Sequence, residues 1–244
     1  MSPRRHDLRG LRRLALFAGI LCAAAAGSMG QDAAPAPLPG QTPQAAPAQP
    51  ADEKWLPLFD GKTLQGWKET QFSGHGQVSI KDGTIVLGMG YMTGITYTGS
   101  FPRSNYEIRF EAVRVDGNDF FAGITFPVKD AFCTWINGGW GGGVVGLSSI
   151  DGQDASENET TNYMEFVRGR WYTFRLRVTD DAIEAWIDQE LVISVGLEDR
   201  AISLRWGEID LSAPLGIAAY STVGALRKLE YRTLAPPAEA PKPQ

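Results

Sequence analysis

Residues 106–113 read YEIRFEAV and residues 171–178 read WYTFRLRV. In the first, Tyr106, Ile108, Phe110 and Ala112 fall on one side of an extended chain, with Glu107, Arg109 and Glu111 on the other. A period of two belongs to a strand with one buried face, because successive side chains leave a pleat in opposite directions. Working outward, VSIKDGTIVLG (78–88) sets Asp82-Gly83 between two β-rich runs. That dipeptide tolerates the positive φ angles of a two-residue hairpin turn. FFAGITF (120–126), AFCTWI (131–136), AIEAWI (182–187), LVISV (191–195), GIAAYS (216–221) and LRKLEYRTL (226–234) supply further short runs, punctuated by Gly, Asp and Asn. No amphipathic pattern of ten residues with helical period interrupts them. Many short strands with turn residues between them predict an all-β chain, an antiparallel two-sheet sandwich.

The ends have a different composition. Arg4, Arg5, Arg9, Arg12 and Arg13 precede an apolar run from Leu14 to Leu21 and a small-residue zone from Ala23 to Gly30. This is the pattern of a secretory signal peptide over residues 1–30, with an apolar run too short for a stable membrane span. Residues 31–52 are Ala, Pro and Gln with few large apolar side chains, a composition that buries no core and reads as a linker. The folded domain is expected over residues 53–235, with a disordered tail over 236–244. The chain is expected to be exported, to the periplasm or beyond, with no stable membrane anchor once the signal is cleaved.

Residues 1–30 carry five arginines and one aspartate, so the remainder stands at a formal charge of −9 against −5 for the whole chain. So acidic a domain has no electrostatic footprint for nucleic acid. Cys133 is the only cysteine after residue 30, so no disulfide forms within the domain, and in Phe132-Cys133-Thr134-Trp135 it reads as a small buried hydrophobe. Oligomeric state is not legible.

Function is sought in residues 135–162, WINGGWGGGVVGLSSIDGQDASENETTN. Glycines 138, 139, 141, 142, 143 and 146 surround Trp140, and an acidic loop follows with Asp151, Asp154, Glu157 and Glu159 beside Asn158. Glycine within a strand costs backbone entropy and marks a bulge or a close approach. An indole face takes the C–H groups of a sugar ring, and carboxylates and amides take its hydroxyls. Trp135, Trp140, Asp151, Asp154 and Asn158 are therefore candidate substrate-binding residues. Glu157 and Glu159 are the candidate acid and base, since glycosidic cleavage wants two carboxyl groups roughly 5–10 Å apart. Trp186, inside an alternating strand, is assigned to the core. Hard oxygen ligands make Ca2+ an alternative occupant of this loop or of Asp116, Asn118 and Asp119. No fixed spacing supports a metal residue, and no cofactor is assigned. His75, in a Ser-Gly-His-Gly loop, reads as an exposed loop residue.

WLPLFDGKTLQGW (55–67), VSIKDGTIVL, FPRSNYEIRFEAV, FAGITF and PLGIAAYSTVGALRKLEYRTL together resemble the 3-keto-disaccharide hydrolase domain family. The resemblance implies a concanavalin-like jelly roll related to laminin-G modules and family 16 glycosidases. It also implies a hydrolase acting on 3-keto-glycosides. In such a substrate the ketone acidifies the hydrogen on C2, so a base, a group polarising the ketone and an acid for the leaving oxygen suffice. The chain departs from the family at several points. Phe126-Pro127 stands where an arginine is common, and Tyr220-Ser221-Thr222 where a histidine is frequent. Glu208-Ile209-Asp210 begins a family 16 motif, but Ala213 takes its last acidic position. The expected partner is a carbohydrate. The expected activity is hydrolysis, and the alternative is a non-catalytic, lectin-like glycan-binding module.

Overall fold

The computed structural model describes residues 54–235. The signal peptide, the linker and the tail expected from sequence lie outside the described residues. Fifteen strands fill the described chain. They are β1 Leu56–Pro57, β2 Trp67–Glu69, β3 Val78–Lys81, β4 Thr84–Leu87, β5 Met92–Tyr97, β6 Tyr106–Gly117, β7 Gly123–Val128 and β8 Ala131–Gly139. After them come β9 Val144–Ser148, β10 Asn162–Tyr163, β11 Trp171–Val178, β12 Ala182–Ile187, β13 Glu190–Gly196, β14 Gly216–Tyr220 and β15 Thr222–Thr233. One sheet has eight strands in the order β13-β12-β11-β6-β15-β4-β3, with β1 also on β15; the other has seven, β10-β9-β8-β7-β14-β5-β2. Every pairing is antiparallel, as the alternating sequence required. This is a two-sheet jelly-roll sandwich.

The alternation of β6 and β11 decides which face meets the partner sheet. Tyr106, Ile108, Phe110 and Ala112 are buried, as are Tyr172, Phe174, Leu176 and Val178 on the neighbouring strand. Phe110 stacks on Phe174 with ring centroids 5.1 Å apart. The Tyr106 hydroxyl crosses to the opposite sheet and donates to the Pro127 carbonyl at 2.6 Å. Between β3 and β4, Asp82 and Gly83 have φ 50° and 75°, so the two-residue loop matches strand twist as their identities predicted.

The outer face of the eight-stranded sheet holds a network of charges and indoles. Glu107 is fully buried there, with Arg177 at 2.7 Å, Arg232 at 2.6 Å and Arg175 at 3.8 Å. Arg175 also lies over Trp186, 3.8 Å from its ring centroid. The assignment of Trp186 to the core is thereby corrected. Ile183, Ala185 and Ile187 take the inward positions of β12, which turns Trp186 outward to half-burial beneath arginine.

Residues 135–162 are not a single surface feature. β8 runs through Trp135 to Gly139, a turn over residues 140–143 reverses the chain, and β9 returns as Val144–Ser148. The acidic loop then folds back over β9. A Cβ on Gly146 would stand 2.5 Å from the Ala155 carbonyl oxygen, so only glycine lets the loop lie this close. Between β13 and β14 the chain changes sheets through residues 197–215, which include a 3-10 turn, Glu208–Ser212.

Candidate functional site

On β7 and β8 the core takes Ile124, Phe126, Val128, Cys133 and Trp135, which leaves Thr125, Thr134 and Ile136 on the opposite, outer side of the seven-stranded sheet. Thr134 faces Ser148 across the β8–β9 ladder, and the Thr125 and Thr134 hydroxyls share a hydrogen bond of 2.9 Å. Met92 and Tyr220 stand opposite one another where β5 pairs with β14. Met92, Thr134, Ile136, Ser148 and Tyr220 floor a cavity of about 790 Å³. A cavity of this size accommodates one or two sugar rings.

Its walls come from three irregular segments. The turn after β8 contributes Trp140, whose backbone is left-handed at φ 49° and whose indole is 44% exposed. The segment between β6 and β7 contributes Asp119 and Phe120, and Tyr91 enters from the turn before β5. The crossing segment contributes Arg205, Trp206, Gly207, Glu208 and Ile209. Trp206 is 97% exposed at the rim, an indole that no protein neighbour covers. Phe120 stacks on Tyr220 at 5.7 Å, and Tyr91 meets Tyr220 edge-on at 4.9 Å.

The acidic loop anchors the crossing segment. Ser149 and Ser203 exchange backbone hydrogen bonds of 2.7 and 3.2 Å, and the Asp151 N–H donates to the Ala201 carbonyl at 2.8 Å. Arg200 donates to Asp151 at 2.7 Å and pairs with Glu159 at 2.5 Å. The far end is tied down by Glu208, which accepts from the Ser73 N–H at 2.7 Å and from its hydroxyl. Those two bonds hold the Glu208 carboxyl below its ordinary range, so it is a carboxylate near neutral pH.

Three carboxylates and one guanidinium line the cavity. Asp154 accepts from the Ser148 hydroxyl and pairs with Arg205 at 2.9 Å, while Arg205 lies 5.7 Å from the Trp140 ring centroid. Asp119 accepts from the Phe120 N–H at 2.8 Å and the Gly141 N–H at 3.1 Å. A hydrogen bond with Tyr91, then burial, and the nearby Asp119 charge push the Tyr220 phenol above its ordinary value of 10.0. Tyr220 is therefore a standing proton donor. The cavity thus holds carboxylate acceptors, two phenols and one cation between aromatic walls.

The candidate residues divide on this geometry. Trp140 and Asp154 line the cavity together. Trp135 has no exposed surface and packs edge-on against Phe174 at 5.6 Å, so it has no face for a ligand. Asn158 is buried and acts as the hub of its own loop. Its amide donates to the Leu147, Gln153 and Asp154 carbonyls at 2.7, 3.1 and 2.8 Å, and its oxygen accepts from the Thr160 N–H at 2.9 Å. Asp151 and Glu159 are taken up by Arg200, and Glu157 is exposed; none of the three lines the cavity. Cys133 is buried, with its thiol pushed up to about 12 by burial. His75 lies exposed. Asp116 pairs with Arg168 at 3.1 Å, and among the described residues no group of three or more His, Cys, Asp or Glu side chains is arranged to hold a metal ion.

The cavity residues missed by sequence reading are Tyr91, Phe120, Arg205, Trp206 and Tyr220, while the sequence offers Asp119 only as a Ca2+ ligand and Glu208 only as the start of a family 16 motif. One signal was available. Residues 197–215 carry no strand alternation, yet they hold Arg205-Trp206-Gly207-Glu208, a dense run of ligand-capable side chains. Tyr220 also stands where the resemblance noted a frequent histidine.

The sequence matches the 3-keto-alpha-glucoside-1,2-lyase-like domain over residues 54–220. The chain belongs to this family. The match covers the strands that build the cavity floor, from β5 through β14. Among proteins of curated function, none matches the sequence. Among solved structures, a Crh5 transglycosylase in complex with NAG is similar at TM-score 0.50 and 15% identity, over 78% of this chain and 86% of that one. A candidate glycosyl hydrolase from Parabacteroides distasonis ATCC 8503 follows at 0.47 and 13%, over 74% and 94%. The carbohydrate-binding module CBM66 from Bacillus subtilis is similar at 0.45 and 11%, over 69% and 96%. At such identities the likeness speaks to the fold alone. The family membership marks a carbohydrate-related domain.

Proposed function

We propose that this chain is an exported carbohydrate-active enzyme that opens 3-keto-glycosides by elimination across C1 and C2, followed by hydration. The observation that carries the reading is the aromatic-walled cavity, where carboxylates, a guanidinium and a phenol kept protonated line one space. A ketone at C3 makes the C2 hydrogen acidic. Asp119 serves as the base that takes this proton, and the electron pair forms the C1–C2 double bond as the C1–O bond breaks. Tyr220 protonates the departing oxygen, and Arg205 draws electron density from the ketone. Water then adds across the double bond to give the free keto-sugar. Trp140 and Trp206 supply surfaces for the ring, and Asp154 accepts from its hydroxyls while holding Arg205 in place. Export rests on the basic and apolar pattern of residues 1–30.

The test is turnover of a 3-keto-α-glucoside, followed by ultraviolet absorbance of the enone and by release of the aglycone. Asp119→Asn and Tyr220→Phe are each expected to lower kcat by about 10²–10⁴, the usual range for a positioned acid or base. Glu157→Gln and Glu159→Gln are expected to retain kcat. If the two glutamate variants lose turnover while Asp119→Asn keeps it, the reading fails.

A second reading, a glycan-binding module, is favoured by one observation: every carboxylate in the cavity already accepts protein hydrogen bonds. Ligand binding that depends on Trp140 in a protein without turnover would select it.

A further inference from the structure

A second cavity, of about 440 Å³, lies on the other side of the glycine turn from Trp140. Gly141, Gly142 and Gly143 form one rim, Tyr163 to Phe166 the other, and Arg114 from β6 lies at its base. Arg114 is only 6% exposed, yet among the described residues no carboxylate lies within ion-pair distance of it. Its guanidinium donates to the Gly138 carbonyl at 3.1 Å, the Gly142 carbonyl at 2.9 Å and the Phe166 carbonyl at 3.5 Å, and among the described residues its Nε has no partner. Phe121 and Phe166 flank it at 5.2 and 5.7 Å. The nearby Arg168 is occupied by Asp116 at 3.1 Å. Burial disfavours the charged form of Arg114, and Asp119, the acid that opposes this, is itself engaged by two backbone N–H groups in the first cavity.

A buried cation with no counter-ion is costly, since carbonyl dipoles offset only part of the lost hydration. Elsewhere in the same protein the buried charge is matched: Glu107 has three arginines around it. Both Nη2 hydrogens of Arg114 are taken by the Gly138 and Gly142 carbonyls, which leaves Nη1 with one N–H to spare, a charge-assisted donor for an oxygen of a carboxylate or of a phosphate. Glycines 141 and 142, with φ 85° and 120°, keep the rim free of side chains that would screen it. We propose that this second cavity binds the anionic group of a ligand, a carboxylate or a phosphate ester, on Arg114. Glu165, exposed at the rim, is the like charge that keeps the affinity low in the native sequence. Because the Trp140 turn forms a wall of both cavities, the anionic group is carried by a molecule that also reaches the glycan cavity or by one bound beside it.

The experiment is an amide-resolved NMR titration of the full chain with inorganic phosphate, glucuronate and glucose, in low and high salt. Phosphate or glucuronate is expected to shift the Gly141, Gly142, Gly143, Glu165 and Phe166 amides, with salt weakening the effect and glucose leaving those amides unmoved. A response to phosphate alone assigns a phosphate ester, and one to glucuronate alone a uronic acid. Glu165→Gln is expected to tighten the anion by about fivefold through removal of one like charge. Arg114→Gln is expected to abolish the response, and Arg114→Lys to retain a weaker one. The Glu165→Gln arm decides the matter if Arg114→Gln does not fold. An absent response, an equal response to glucose, or an unchanged affinity in Glu165→Gln would overturn the proposal. None of these readouts requires turnover, so this inference and the elimination reading fail separately.

Discussion

Trp135 and Trp140 stand five residues apart in one glycine-rich run, and the sequence alone offered both to a ligand. Strand parity separates them. Trp135 shares the inward side of β8 with Cys133, whereas Trp140 follows the last strand residue and takes a left-handed turn conformation. Trp135→Ala is therefore expected to cost about 3–5 kcal/mol of stability, read from the denaturant midpoint. Trp140→Ala is expected to leave that midpoint nearly unchanged and to weaken glycan binding at least about tenfold, since an exposed indole contributes little to the fold. Asp151 has a structural consequence of its own. The Ala201 N–H, then Arg200, hold its carboxyl below the ordinary 3.8. A depressed folded-state value stabilises the fold above 3.8, and that contribution is lost as pH falls through the lower value. The hydrogen bonds between the acidic loop and the crossing segment are thus expected to loosen below about pH 4. The check is the amide protection factor, which corrects for the intrinsic pH dependence of exchange: it is expected to be lower in residues 197–212 at pH 3 than at pH 6, with that difference absent in Asp151→Asn.

At the scale of elements, the acidic loop is a mount for the crossing segment and supplies only Asp154 to the cavity. It lies flat on β9 because Gly146 leaves room for Ala155. Gly146→Ala is expected to lift the loop, with a loss of about 1–3 kcal/mol and faster amide exchange across residues 149–161, while the exchange of β6 stays slow. The loop's acids were legible as a cluster; their partner, Arg200, was not. Arg200 is separated from Asp151 by β10, β11, β12 and β13, and no local pattern announces an ion pair across that distance.

Across the whole molecule, one sheet face is spent on charge and the opposite one on a cavity. Glu107 joins three arginines on the charged face, and removing it leaves Arg175 and Arg232 without this partner and Arg177 with Glu184 alone. Glu107→Ala is expected to cost about 3–5 kcal/mol, the usual penalty for breaking a buried ion cluster, and this is measurable by chemical denaturation. A loss below about 1 kcal/mol would mean that the arginines find water instead. Strand type, antiparallel pairing and the inward faces of β6 and β11 were determined by sequence alone, because alternation and turn chemistry act over two to eight neighbouring residues. The family-level resemblance was legible for the same reason, since its motifs are local. Tertiary structure decided which tryptophan faces solvent, which acids are paired, and that Asp119, Arg205, Trp206, Glu208 and Tyr220 line one cavity. Those residues come from β14 and from separate connecting segments that approach one another only when two sheets pack and the chain crosses between them. No periodicity within the chain encodes that meeting; the packing of the sandwich does.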